Sequence, residues 1–345
     1  MYIKAAAGIS PQVSFEQILQ SPASYSGNRL SCAEPDYTKL FDTRMIRRMS
    51  RIIKMGVAAA KDCLQQADVQ SPGAIITGTA YGCLADTELF LSKMVENKEE
   101  LLTPTAFIQS THNTVGAQIA LMLKCHNYNN TFVHRGFSFE SAMLDAITLL
   151  HENTVEDVLV GGVDEITDTS HTLLSRFGLY KQHAASNLDL YNNHSRGTIA
   201  GEGAAFFLLS EKFTGNGYAK LDDMDTLYKP SSPGEAADFI NDFLDRNNIK
   251  AGDIDLLLYG ENGDTGNDKW YGHIKRALFN DTATQPFKHL CGEYPTAPAF
   301  ALWLAANILK SGKTPGQSNI KVPGQVLIYN HYLTIHHSLY LLSAC

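Results

Sequence analysis

Few stretches of this chain carry side chains spaced for chemistry. Gly136-Phe137-Ser138 has the start of a nucleophile elbow, in which a serine on a tight strand-to-helix turn attacks a carbonyl. Glu140 stands where the second glycine of such an elbow belongs, and Ser138 is equally placed to cap a helix. Glu261, Asp264 and Glu293 could form an acid/base pair, with His336 or His337 near it. Each of these also reads as an ordinary structural polar residue. The six cysteines (Cys32, Cys63, Cys83, Cys125, Cys291 and Cys345) contain no CxxC pair and are too sparse for a disulfide framework. They read as free thiols in a reducing compartment. No spacing reads as a metal site, and no cofactor is expected.

The elements that would position such residues alternate between strand and helix, which argues for an α/β architecture. Tyr2 to Ile9 reads as a strand ending at the turn signal Ser10-Pro11. A single long helix is expected over Thr43 to Ala67, with Met45, Met49, Ile52, Ile53, Gly56, Ala60 and Cys63 on its apolar side. Arg44, Arg47, Arg48 and Arg51 lie mostly on the other face. Strands are expected at Ala74 to Thr79, Thr131 to Val133, Val158 to Gly162 and Gly201 to Leu209. Helices are expected at Thr87 to Asn97, Asn113 to Lys124 and Ser138 to Glu152. Beyond a connection near residue 212 the same style returns, with strands ending at Tyr259, Tyr329 and Leu342, so the halves could be duplicated units.

The chain has 345 residues, 44% hydrophobic, and a formal net charge of -8. That is enough for a large core in one domain or two fused ones. The absence of a basic stripe argues against nucleic acid and anionic membrane surfaces as partners. No apolar run is long enough to span a bilayer, and Met1-Tyr2-Ile3-Lys4 leads into a strand, so no leader is expected and the cytoplasm is the expected location.

Several segments, taken in order, resemble the β-ketoacyl synthases. Tyr2 to Pro11 is similar to the family's first strand and turn, and Asp42 to Ala67 to its early helix. Val158-Leu159-Val160-Gly161-Gly162-Val163-Asp164 is similar to the strand and glycine pair after the nucleophile helix. Arg196 to Leu209 resembles the family's G-E-G-A segment. The resemblance implies a thiolase-like fold, two similar βαβ-based halves in a layered αβαβα arrangement, with residues 1–212 as the first half and 213–345 as the second.

The same resemblance implies where condensation machinery should sit. A cysteine at a helix N-terminus would carry the acyl group, two histidines would stabilise the enolate, and amides of a glycine-rich turn would form an oxyanion hole. The cysteine position falls on Gly136, in Val133-His134-Arg135-Gly136-Phe137-Ser138, which contains no cysteine. The first histidine position falls on Gly260, before a retained Gly263 and Asn267-Asp268. The second falls on Glu293, where a carboxylate would repel the developing negative charge, although Lys288 and Gly292 are retained. The C-terminal glycine-rich loop appears as Asn330-His331-Tyr332-Leu333-Thr334-Ile335-His336, with Asn330 kept and the glycines gone; non-glycine residues are not expected to hold its tight backbone.

What this implies is a ketosynthase-like subunit without condensing activity of its own, similar to a chain-length factor of type II polyketide systems or to the degenerate subunits of aryl-polyene clusters. It would pair with an active, Cys-containing β-ketoacyl synthase, with acyl carrier protein as a further partner. Thr105 to Asn113 is the expected interface segment facing the shared acyl pocket, with Phe107 and Gln109 foremost and Thr111 and Asn113 beside them. Phe137 and Phe139 either plug the vestigial pocket or belong to the core. Two alternatives stay open: an enzyme with rewired acyl-transfer or hydrolysis chemistry, and a homodimeric acyl-binding scaffold.

Overall fold

The computed structural model describes all residues except 101, 183–184, 193, 214 and 317–321. Ten strands form one continuous mixed sheet: β1 (Tyr2–Ile9), β2 (Ala74–Gly78), β3 (Tyr128–Phe132), β4 (Val158–Asp164), β5 (Gly203–Ser210), β6 (Ala219–Tyr228), β7 (Leu256–Tyr259), β8 (Ala283–Pro286), β9 (Gln325–Tyr332) and β10 (His336–Ser343). Their spatial order is β8-β7-β9-β10-β6-β1-β5-β4-β2-β3. β1 to β5 and β6 to β10 trace the same path. In each set the second strand runs parallel to the third and the fourth, the fourth is antiparallel to the fifth, and the fifth is antiparallel to the first. Among the described residues the two sets join as one sheet where Tyr2 and Ile3 pair with Lys220 and Ala219.

Side-chain alternation along the strands divides the interior into three apolar layers. Phe206 and Leu208 of β5 face α1 (Arg51–Gln66) with Ile52, Ile53 and Ala60. Phe207 and Leu209 face the opposite way, into a central layer with Phe139 and Met143 of α2 (Ser138–His151) and Phe300 to Leu309 of α3 (Ala297–Ser311). Leu256, Leu258 and Ile328 of the second set enter this same central layer. Their neighbours Leu257, Tyr259 and Leu327 face outward to α4 (Pro233–Arg246) and α5 (Asp268–Leu278). The period-2 pattern thus produces helix, sheet, helix, sheet, helix. The centre is hydrophobic on all sides, which explains why α3 buries twelve of its residues rather than one stripe.

One expected element takes a different form, and two strands were not expected. The helix expected over Thr43 to Ala67 is broken into Thr43–Ile46 and α1, with Arg47 to Ser50 between them. The break turns Ile46 and Met49 into the same apolar cluster as Ile52 and Ile53, which one straight helix would not do. The strands β6 and β8 have polar, irregular sequences and are recognised only through their neighbours β10 and β7.

Candidate functional site

The head of α2 is the point where the fold would place a nucleophile. The chain leaves β3, turns at Arg135 with φ +51°, passes through Arg135–Phe137 as a single 3₁₀ turn and enters α2 at Ser138. A glycine at position 78 of β2 lets the first turn of α2 lie against the sheet, because a Cβ there would collide with the Ser138 carbonyl. Ser138 is fully buried; its Oγ donates to Arg135 O at 2.8 Å and accepts from His134 N at 2.9 Å. It therefore ties down the turn. The N-cap is Phe137, and among the described residues no imidazole bonds the Ser138 hydroxyl: His134 Nδ1 lies 3.2 Å from Ser141 Oγ instead. Neither the elbow nor the capping role expected of Ser138 is realised.

Gly136 faces the tip of the β9–β10 hairpin. A Cβ at 136 would stand 2.9 Å from Tyr332 Cβ and 3.0 Å from His336 Cβ. Phe137 covers the same spot from the helix side, its ring edge-on to His336 at 4.7 Å and near Tyr228 and His134. Phe139, one step along, belongs to the core against Phe207 and Tyr340.

At Gly260, after β7, a side chain would run into the Asn330 carboxamide and stand 2.6 Å from the Tyr271 hydroxyl. Tyr271 is itself held there, accepting a hydrogen bond from His331 N at 2.8 Å. The retained Asn330 is buried and fills the space above Gly260. Glu293 lies 2.5 Å from Lys288 Nζ through Oε1 and accepts from Asn262 Nδ2 at 2.7 Å through Oε2. The carboxylate expected to repel an enolate is thus matched by a buried cation.

The turn in place of the glycine-rich loop is tight without glycines, which was not expected of these residues. Leu333 and Thr334 both take the left-handed conformation, at φ +55°, where glycine is the ordinary occupant. The correction has a structural cause: Thr334 N donates to His331 Nδ1 at 3.3 Å, Ile335 N to Tyr332 O at 3.1 Å, and Lys229 N to Ile335 O at 2.6 Å. These bonds hold the strained residues in place.

The remaining acid/base candidates are engaged separately. Asp264 accepts from Gly266 N and Asn267 N, while Glu261 lies 3.8 Å from Lys275. His337 pairs with the Tyr329 hydroxyl at 2.9 Å, and burial pushes its pKa down to about 4. His336 points to the other face of β10, toward Phe137. Glu140, read from sequence only as the residue that breaks the elbow pattern, also matters here. Glu140 is buried in the first turn of α2, and burial raises its pKa to about 7 against the pull of its own amide and the Ser338 and Tyr340 hydroxyls. Tyr332 and Tyr271 gave no signal beyond being aromatic in a strand and a helix.

The expected interface segment lies elsewhere on the surface, on a short helix (Pro104–Gln109) and the turn after it. Phe107 is 58% exposed and touches Phe90. Gln109 Nε2 donates to the Arg48 carbonyl, the Thr111 hydroxyl donates to Ile108 O, and Asn113 precedes the helix Thr114–Leu123 with no side-chain cap bond. Among the described residues the segment reaches the hairpin tip over Gly136 through intermediates: His112 packs on Gly82, and neighbouring Tyr81 reaches the Tyr332 hydroxyl at 3.4 Å. Among the described residues no group of three His, Cys, Asp or Glu side chains could hold a metal, and no helix is long and apolar enough to cross a membrane.

A five-layer core, a duplicated strand path and a glycine-flanked central helix define the fold of the thiolase-type ketosynthases. Solved structures that match the whole chain include the ishigamide ketosynthase/chain length factor (TM-score 0.82, 16% identity, covering 100% of this chain and 98% of that one); a β-ketoacyl synthase from Burkholderia phymatum STM815 (0.78, 13%, 100% and 99%); and a type II polyketide acyl-carrier protein in complex with its ketosynthase bound to the hexaketide (0.74, 13%, 100% and 99%). In sequence, residues 28–190, just under half of the chain, match the family model described as beta-ketoacyl synthase, N-terminal domain. No curated protein sequence matches the chain.

Proposed function

We propose that this chain is the non-condensing subunit of a ketosynthase pair. The carrying observation is the state of the three positions where condensation chemistry would act. Gly136 offers no side chain to acylate, Gly260 carries no imidazole and has the Asn330 carboxamide where a side chain would start, and Glu293 is committed to Lys288. Losing one group would leave a weakened enzyme; here each position is also filled by a different neighbour.

What remains is a surface suited to a partner. β3 is an edge strand, paired only with β2 among the described residues, and Leu121, Tyr128 and Leu144 are exposed around it. Strand addition at such an edge, with burial of more than ~2,000 Å² in total, is what an obligate pair needs. In this reading Phe107, Gln109, Thr111 and Asn113 enter the acyl tunnel of a Cys-containing β-ketoacyl synthase and limit chain growth. Residues 1–212 supply that surface and 213–345 brace it. Arg44, Arg47 and Arg48 are exposed on a chain that is acidic overall, which suits an acyl carrier protein. The product class is a type II polyketide or fatty-acid-like chain, aryl polyenes included, made in the cytoplasm.

The test is co-expression with a Cys-containing ketosynthase, followed by affinity capture and a condensation assay on carrier-bound acyl substrates. The expected result is a stable heterodimer that condenses, with no turnover by this chain alone. A stable homodimer that hydrolyses or condenses acyl substrates unaided would overturn the reading.

A further inference from the structure

Resting on the reading above, we propose that the β9–β10 hairpin tip is a fixed plug, set by Tyr332 and His336, that denies an acyl group any room in this subunit and confines it to the partner's site. The contacts at Gly136 are made by the Cβ atoms of Tyr332 and His336 and by His336 Cγ, not by the far ends of flexible side chains. Such atoms move only if the backbone moves. The backbone at this point is bonded three times: Lys229 N on β6's exit donates to Ile335 O, Ile335 N to Tyr332 O, and Thr334 N to the His331 ring. Both side chains are 8% exposed, and the Phe137 ring packs edge-on against His336.

A cleft of about 170 Å³ opens beside the plug, lined among others by Phe177, Arg196, Asn262, Glu293, Tyr332 and Leu333. It reaches Tyr332 from outside, but Gly136 is not part of its lining. The plug stands between the cleft and the head of α2. Restoring a thiol at position 136 would therefore not restore a reactive site, because the volume in which the thiol must meet a thioester is occupied.

Two measurements on the purified full-length chain test this. First, Gly136→Ala is introduced into the native chain and into a Tyr332→Gly/His336→Gly background. The substitution lowers Tm by several degrees, roughly 4 °C or more, in the native chain and by clearly less in the double-glycine background, a coupling that contacting residues show. Second, Gly136→Cys is treated with iodoacetamide and followed by peptide-resolved mass spectrometry. Its thiol reacts at least about tenfold more slowly than exposed Cys345, and opening the plug with the two glycines removes most of that gap. If the cysteine variant does not fold, the alanine cycle decides. An unchanged Tm for Gly136→Ala, or a thiol at 136 alkylated as fast as Cys345 in the otherwise native chain, overturns the plug. Neither measurement involves a partner, so failure here is distinct from failure to form a heterodimer.

Discussion

Lys288 and Glu293 face each other across the glycine that ends a single helical turn, with Nζ 2.5 Å from Oε1 and no lysine surface left exposed. Breaking such a pair from one side leaves an uncompensated buried charge, which costs about 3–5 kcal/mol. Glu293→His, which would put back the family's imidazole, is therefore expected to lower stability by that order and to produce no condensation. Lys288→Met combined with Glu293→Leu is expected to recover most of the loss. Urea midpoints of the three proteins check this, and a neutral Glu293→His would sink the argument.

Glu202, in the G-E-G-A segment, has no exposed side-chain surface and receives both Arg51 guanidinium nitrogens at 2.6 Å. It also accepts from Cys32 N at 3.0 Å and Ile166 N at 3.2 Å, so one carboxylate ties α1 to two loops. Arg51→Lys cannot reproduce the fork and is expected to cost about 1–3 kcal/mol; Glu202→Ala, which strips the guanidinium and both amides of their acceptor, is expected to cost more. Thermal denaturation of the two variants gives the order, and a reversed order contradicts the account.

Glu140 gives the chain a pH signature. Its folded pKa is raised by burial to about 7, so between the ordinary carboxylate range and pH 7 the folded state binds more protons than the unfolded one. Its contribution is fully present at low pH and declines as pH rises through 7. Glu140→Gln removes that decline, so relative to the native chain it gains stability from pH 5 to pH 8, by at most roughly 3 kcal/mol. Chemical denaturation at the two pH values measures it; a gap between native and variant that does not change with pH refutes it.

Burial acts with the opposite sign on His337. Its pKa is pushed down to about 4, so the unfolded state binds more protons between pH 4 and the ordinary imidazole value near 6.5. This contribution is present above pH 6.5 and is lost as pH falls toward 4. His337→Asn, which can keep a polar partner for Tyr329, is expected to flatten that acid limb. Tm measured from pH 7 down to pH 4.5 is the check, with an unchanged slope counting against it.

Phe107 tests the interface without touching the core. Because it is 58% exposed, Phe107→Asp is expected to shift the Tm of the isolated chain by little while weakening association with the proposed Cys-containing ketosynthase partner at least about tenfold, as loss of an apolar anchor does. Calorimetric titration against the partner decides; unchanged affinity removes Phe107 from the interface.

Most of the architecture was legible because it rests on local periodicity. β5 and β7 are short continuous apolar runs that read as buried strands, while which of their side chains enters which layer follows only from the packed sheet. β6 and β8 were not legible, since their partners, not their composition, make them strands. The break at Arg47 to Ser50 was not legible because helical spacing continues through it; the packing of Ile46 and Met49 against Ile52 and Ile53 decides the turn.

At the site the sequence alone determined the losses: residue identity suffices to say that positions 136, 260 and 293 hold neither thiol nor imidazole. Only the tertiary structure decided what took their place. Tyr332 and His336 meet Gly136, Asn330 meets Gly260, and Asn262 completes Glu293, all between segments far apart in the chain. Such contacts depend on how the layers stack, and no local pattern encodes which atoms of a distant hairpin will fill the volume over a helix terminus.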